Sequence, residues 1–414
     1  MTQLTIGLLG TGTVGTGLLN HLRDQTKSAD YAQFTVKKAL VRNIATKQAF
    51  ATQYQLELTT DIRDIVQDPT IDIVVELLGK IEPARQYIKM ALENGKHVVT
   101  ANKDLMALHG EELIALAQAQ GCDLYYEASV AGGIPILRTL AESYPGDTIQ
   151  MVQGIVNGTT NYMLTQMFAE GRQYEEALQQ AQELGFAESD PTNDVDGIDA
   201  AYKMILLGEF AFGMTLPFSA LKIAGIRQVT LADVQLADQL GYVIKLLGTV
   251  SETASGIYGE VMPTLVAKTA ILAAVQQEFN AVAVTSQGIG SALYYGPGAG
   301  AMPTAASVVS DLLKIAQNQA TANHGQPFNG YHRPLAISPK AERLARYYLA
   351  LTPEADPTQL TTILDTIGIS LRQLIEGERT VLLTETISEV QLEELTTQLS
   401  STRIQLHNIM KVEG

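Results

Sequence analysis

Asp199 and Lys203 stand four residues apart at the end of an acidic loop. On a helix that spacing puts both side chains on one face. The segment leading to them, from Ala181, reads AQELGFAESDPTNDVDGIDAAYK. Gly185 ends one helix, and Pro191 biases Asp190 away from helical geometry. Glu175 to Asp199 holds eight carboxylates and no Lys or Arg. A surface ion pair is the commoner meaning of such a spacing. A loop this charged and irregular reads instead as a pocket wall, built to hold a small cationic group beside one working lysine. The chemistry is general acid catalysis: a protonated Lys203 delivers a proton to an oxygen on which charge develops, and stabilises that charge. Nearby carboxylates favour the ammonium, so the reverse reaction, oxidation of an alcohol, is expected to need higher pH.

Other segments supply what that step requires. Gly10-Thr11-Gly12-Thr13-Val14-Gly15 follows an apolar strand and opens a helix. Gly10 permits a tight turn, Gly12 lets a pyrophosphate approach the backbone, and Gly15 allows close helix–strand packing. The helix N-terminus offers free N–H groups to phosphates. The second strand ends Ala39-Leu40-Val41-Arg42, with an arginine where an NAD site usually carries a carboxylate; this favours NADP over NAD. Thr100-Ala101-Asn102-Lys103 lies past another strand's C-terminal end, where open parallel sheets bind ligands. Lys103 there can lie beside a nicotinamide and the reacting carbon, although for this position alone a solvated lysine is the commoner meaning. Tyr294 to Gly300, YYGPGAG, reads as a glycine-rich loop before a helix, open to close ligand approach. None of the six histidines falls in these segments, and no cluster has zinc-ligand spacing. The single cysteine, Cys122, reads as a small core residue.

The elements that must position these groups follow from hydrophobic patterning. Residues 1–133 alternate strands (near Leu4–Leu9, Phe34–Val41, Ile71–Leu77, His97–Thr100 and Asp123–Glu127) with helices, which implies a doubly wound parallel sheet. Helix 304–320 is expected to pack back on it. Residues 134–303 read as an α+β domain. Residues 322–343, rich in Pro, Gly, Asn and His, read as a linker. Residues 344–414 show the order βαββαβ, a split ferredoxin-like unit expected to be separable from catalysis. The chain of 414 residues carries a formal net charge of −16. That argues against nucleic acid. No membrane span is expected, and a lone cysteine fits a reducing cytoplasm.

The acidic segment resembles the homoserine dehydrogenase signature, with Ala181, Gly185, Phe186, Asp190-Pro191, Asp194-Val195, Gly197, Asp199 and Lys203 at the family's spacing. The resemblance extends through GLLGTGTVG, TANK, YEASVAGGIPIL (Tyr126–Leu137), NGTTNY (Asn157–Tyr162) and YYGPGAGAMPT (Tyr294–Thr304). It implies reversible reduction of L-aspartate 4-semialdehyde to L-homoserine with NAD(P)H, in the route to threonine and methionine. By matching position it makes Lys203 the proton donor and Lys103 the second catalytic lysine. Glu188 and Asp199 hold the substrate, supported by Asp194. Gly185 and Gly300 approach the cofactor. A sodium or potassium ion is implied on Glu127 and the carbonyls of Val130, Gly132 and Ile134. The middle domain is implied to bind substrate and build a homodimer or homotetramer. Residues 344–414 resemble an ACT domain, which implies a threonine effector. There the usual glycine is replaced by Asp356-Pro357-Thr358-Gln359, and Lys80 stands where a second glycine commonly follows Gly79.

Two other readings remain open at this level. A semialdehyde dehydrogenase working through an acyl intermediate needs a thiolate, which only Cys122 could supply. A non-catalytic amino-acid sensor would keep the dinucleotide fold without need of Lys103, Lys203 and the acidic loop.

Overall fold

The computed structural model describes residues 2–24, 32–352, 357–376 and 379–414. Asp356 of the departing ACT-like turn lies outside them. The chain forms two compact units.

The first unit comprises Met1–Thr148, Ile205–Gly213 and Tyr294–Arg333. Its strands are β1 (Thr2–Leu9), β2 (Ala32–Leu40), β3 (Glu57–Thr59), β4 (Ile73–Glu76), β5 (His97–Thr100) and β6 (Leu124–Tyr125). They pair in parallel in the order β3-β2-β1-β4-β5-β6. The chain reverses direction of winding between β1 and β4, the point where such sheets bind dinucleotides. All four residues of β4 are buried, as expected of a strand covered on both faces. The short edge strand β3 escapes sequence reading, because three residues carry no measurable period. Helix Ala301–Thr321 belongs to this unit and is tied to its sheet by Asn318, whose amide donates to Asp123 (3.1 Å) and to the Tyr125 hydroxyl (2.9 Å).

Residues 134–148 also fall in this unit rather than with the α+β segment. The cause is polar: both carboxylate oxygens of Glu127 accept the N–H groups of Leu137 (2.9 Å) and Arg138 (2.7 Å), and the Arg138 guanidinium pairs with buried Asp311. The carboxylate thus caps helix Leu137–Ser143.

The second unit comprises Ile149–Met204, Met214–Leu293 and Pro334–Gly414. It holds β7 (Ile149–Ile155), β8 (Lys222–Ile223), β9 (Tyr242–Thr253), β10 (Gly256–Ala267) and β11 (Phe279–Ser286). A strand β12 (Gly290–Pro297) starts here and leaves the unit after Leu293. The YYGPGAG segment is therefore not a loop throughout. Tyr294–Pro297 end a strand, and only Gly298 to Gly300 connect it to the next helix; the glycines masked a strand pattern already rich in tyrosine.

The unit continues with β13 (Leu344–Leu351), β14 (Leu371–Ile375), β15 (Thr380–Thr384), β16 (Ile387–Ser388) and β17 (Leu406–Glu413). The sheet order is β11-β7-β9-β10-β17-β13-β15-β14. Around helices Pro357–Ile367 and Glu389–Ser400, the last segment follows the expected βαββαβ order except for the added two-residue strand β16 before the second helix, and has its own cluster of Tyr347, Leu349 and Leu382 against Leu364, Leu392 and Leu395. It is not a free-standing unit, however. β17 pairs in parallel with β10, Thr264 opposite Lys411. The buried Lys411 ammonium also donates to Glu260. Burial opposes that charge, but Glu260 and its neighbours hold it well above the usual lysine range. Among the described residues, no helix is long and apolar enough to cross a membrane.

Candidate active site

In the second unit, the end of β7 and two helix starts bring the acidic motif to one place. Helix Ile198–Phe212 carries Asp199 in its first turn and Lys203 one turn on. The Lys203 ammonium donates to Asp199 Oδ2 (2.7 Å) and to the carbonyl of Val156, just past β7 (2.6 Å). Both side chains are mostly buried, 13% and 12% exposed, so this is not the solvated pair that the spacing alone suggests. An ammonium held by two oxygens in a low-dielectric setting has a fixed position from which to give a proton.

Asn157 joins the pair to Asp194. Its amide nitrogen donates to Asp194 Oδ1 (2.7 Å) and to Asp199 Oδ2 (2.9 Å). Burial raises the Asp194 carboxyl above its ordinary range; the Asn157 bond works against this and the Asp199 charge adds to it. Thr159 donates to the Phe186 carbonyl (2.5 Å), tying the acidic loop to the helix Gly158–Glu170. Asp194, Asp199 and Lys203 are thereby assembled as one network. Asn157 lies within the NGTTNY motif, but nothing in its spacing discloses this contact. Glu188 and Gly185 lie on the exposed stretch of the same loop, Gly185 with φ +78°. The Glu188 side chain takes no part in the network's bonds.

In the first unit, the glycine-rich turn has the shape a dinucleotide requires. Gly10 adopts φ +109°, and a Cβ there would lie 2.7 Å from the Leu77 carbonyl oxygen. At Gly15 a Cβ would meet the Gly10 carbonyl oxygen at 2.3 Å, whereas at Gly12 it would meet nothing within 4 Å. The first and third glycines are thus demanded by packing, and the second leaves space beside Thr11 and the helix start at Thr13-Val14 for a ligand. Arg42 is exposed beyond β2, next to Asn43, which caps the following helix through the N–H of Ala45 (2.9 Å). From that helix Lys47 reaches back to the Thr11 carbonyl (3.1 Å), a second cation beside the turn that sequence reading misses.

Lys103 opens helix Lys103–Ala119 and pairs with Asp104 at 3.2 Å. Asn102 caps that helix and donates to the Lys80 carbonyl (2.9 Å). Thr100 donates to buried Glu76 at 2.5 Å, and burial raises the Glu76 carboxyl above its ordinary range. Gly300, with φ +121°, precedes helix Ala301–Thr321. The residues implied for a cation form one oxygen-rich loop. Ala131 and Gly132 both have positive φ; the Gly132 carbonyl accepts from Ser307 (2.6 Å), and that of Ile134 from the Ile136 N–H (2.8 Å). Burial raises the Glu127 carboxyl. Cys122 is buried, and burial pushes its thiol up to about 11. A thiol so held is not a thiolate near neutrality, so the acyl-transfer reading loses its nucleophile.

Residues 135–313 match the family model for homoserine dehydrogenase, and residues 10–127 that for the homoserine dehydrogenase NAD binding domain. The homoserine dehydrogenase of Lactococcus lactis subsp. lactis (strain IL1403) is 43% identical over 425 residues, spanning 99% of each chain. The crystal structure of a homoserine dehydrogenase from Thiobacillus denitrificans superposes with a TM-score of 0.93 at 38% identity, over 100% of this chain and 99% of that one. A hyperthermophilic archaeal homoserine dehydrogenase in complex with NADPH matches with a TM-score of 0.66 at 26% identity, over 77% and 98%.

Proposed function

The chain belongs to the homoserine dehydrogenase family, and from that premise we propose how its residues divide the reaction. The enzyme interconverts L-aspartate 4-semialdehyde and L-homoserine with NAD(P)H. The bound nicotinamide supplies or accepts the hydride. Lys203 gives its proton to the aldehyde oxygen as that oxygen becomes an alcohol, and takes it back in oxidation. Lys103 is the second catalytic lysine, at the cofactor-binding edge of the parallel sheet. Glu188 and Asp199 hold the substrate's ammonium, and Asp194 fixes Asp199 through Asn157. The observation that carries this reading is the mostly buried Lys203 ammonium, held at 2.7 Å by Asp199 and 2.6 Å by Val156. Turnover of Lys203→Ala tests it; near-normal turnover would remove Lys203 from the mechanism.

The cofactor is proposed to be NADP, lodged over Gly10 to Gly15; the family resemblance adds Gly185 and Gly300 to the residues that approach it. The absence of a carboxylate at the end of β2, with Arg42 exposed there and Lys47 beside the turn, supports this, as does the NADPH in the archaeal relative. The donor set of Glu127, Val130, Gly132 and Ile134 is all oxygen and suits a sodium or potassium ion, which would brace that loop without entering the chemistry. Homoserine oxidation should be faster in potassium or sodium chloride than in choline chloride at equal ionic strength; equal rates would dispose of the ion. The pathway is proposed to be threonine and methionine biosynthesis in the cytoplasm. Residues 344–414 act as an ACT-like sensor of threonine, and the second unit builds the homodimer or homotetramer.

A further inference from the structure

Asn157 is the N-cap of helix Gly158–Glu170, and its two side-chain ends face different tasks. The amide oxygen accepts from the Thr160 N–H and the Thr160 hydroxyl, each at 2.9 Å. Since the helix terminus offers a donor, the oxygen must face it, and the NH2 group must face the carboxylates. That group donates one hydrogen to Asp194 and one to Asp199. The same Asp199 oxygen also receives the Lys203 ammonium. The preceding residue, Val156, contributes its carbonyl to Lys203. Two consecutive residues just past β7 therefore frame the ion pair from both sides, one accepting from the lysine and one donating to its partner.

We propose that Asn157 is a positioning residue for proton transfer: it separates two carboxylates that would otherwise repel, and limits how strongly Asp199 holds the Lys203 proton. The inference rests on the proposed role of Lys203. Asp199 on its own helix and Asp194 on the short helix Thr192–Val195 are both charged groups that face Lys203. A neutral donor between them lowers the negative charge that the ammonium senses. Without it, the ammonium is held more tightly, and the alcohol-oxidation direction, which needs the free amine, suffers first.

Asn157→Asp and Asn157→Ser both keep an oxygen that can cap the helix, and both remove the two-handed donor. Asn157→Asp should move the rising limb of homoserine oxidation to higher pH by about one unit, reflecting the added negative charge. Asn157→Ser should lower kcat at least tenfold, with KM for the cofactor unchanged. If only the cap matters, both variants will keep the wild-type kcat and pH profile, and the proposal is overturned. Should Asn157→Asp not fold, Asn157→Ser decides alone. Lys203→Ala is assayed alongside. If it retains turnover, the role of Lys203 has failed; if it is inactive while both Asn157 variants behave as wild type, only the role of Asn157 has.

Discussion

At the scale of single residues, proton transfer depends on what surrounds one ammonium. Lys203 is held by a carboxylate and a carbonyl in a mostly buried setting, which fixes where its side-chain nitrogen sits. Asp199 and Lys203 were legible from sequence because their contact is local, one helical turn. Asn157 was not, because its bonds to Asp194 and Asp199 span 37 and 42 residues, and no periodicity records such a pairing. Arg42 was legible as a departure from the NAD pattern; Lys47 became visible only with the fold. Arg42→Ala should therefore reduce kcat/KM for NADP by roughly tenfold, about 1.4 kcal/mol, the order of one charge-assisted hydrogen bond, while leaving kcat/KM for NAD nearly unchanged. Equal losses for both cofactors would show that Arg42 does not read the 2′-phosphate.

At the scale of elements, the strands of the parallel sheet announced themselves through apolar runs, and β5 was legible to the residue. β3 and β12 were not, one being too short and the other interrupted by glycine and proline. The largest revision concerns β17. Its pairing with β10 crosses from the last segment of the chain into the middle of the sheet, a long-range match that local pattern cannot encode. Deleting residues after 340 would thus do more than remove a sensor. It would strip the edge of β10, leave Glu260 without Lys411, and deprive Asp233 of the Tyr348 hydroxyl at 2.8 Å. Leaving one charge of a buried pair uncompensated costs about 3–5 kcal/mol. Denaturant unfolding of the truncated chain should show at least that loss, and a truncated chain as stable as the whole would contradict it. Sensing is then better tested in the intact chain, where threonine should slow homoserine oxidation. No response at any concentration would leave the segment a structural role alone.

At the scale of the whole molecule, the chain divides its labour between two compact units. The first carries the glycine-rich turn, Arg42 and Lys103, and the second carries the acidic network with Lys203. The sequence segments and the compact units do not coincide. The chain passes between units within helix Ile198–Phe212 and within β12, so linear boundaries drawn from composition miss the partition. The net charge of −16 argues against a nucleic-acid partner and is consistent with the proposal that a nucleotide is met by Arg42 and Lys47 and an amino acid by local carboxylates. The most direct measurement is a paired one on Lys203→Ala: the cofactor dissociation constant by titration, and the single-turnover rate of homoserine oxidation. The account predicts an unchanged dissociation constant with a rate lower by roughly 100- to 10,000-fold, the range of general acid–base catalysis. A rate within a few-fold of wild type would contradict it.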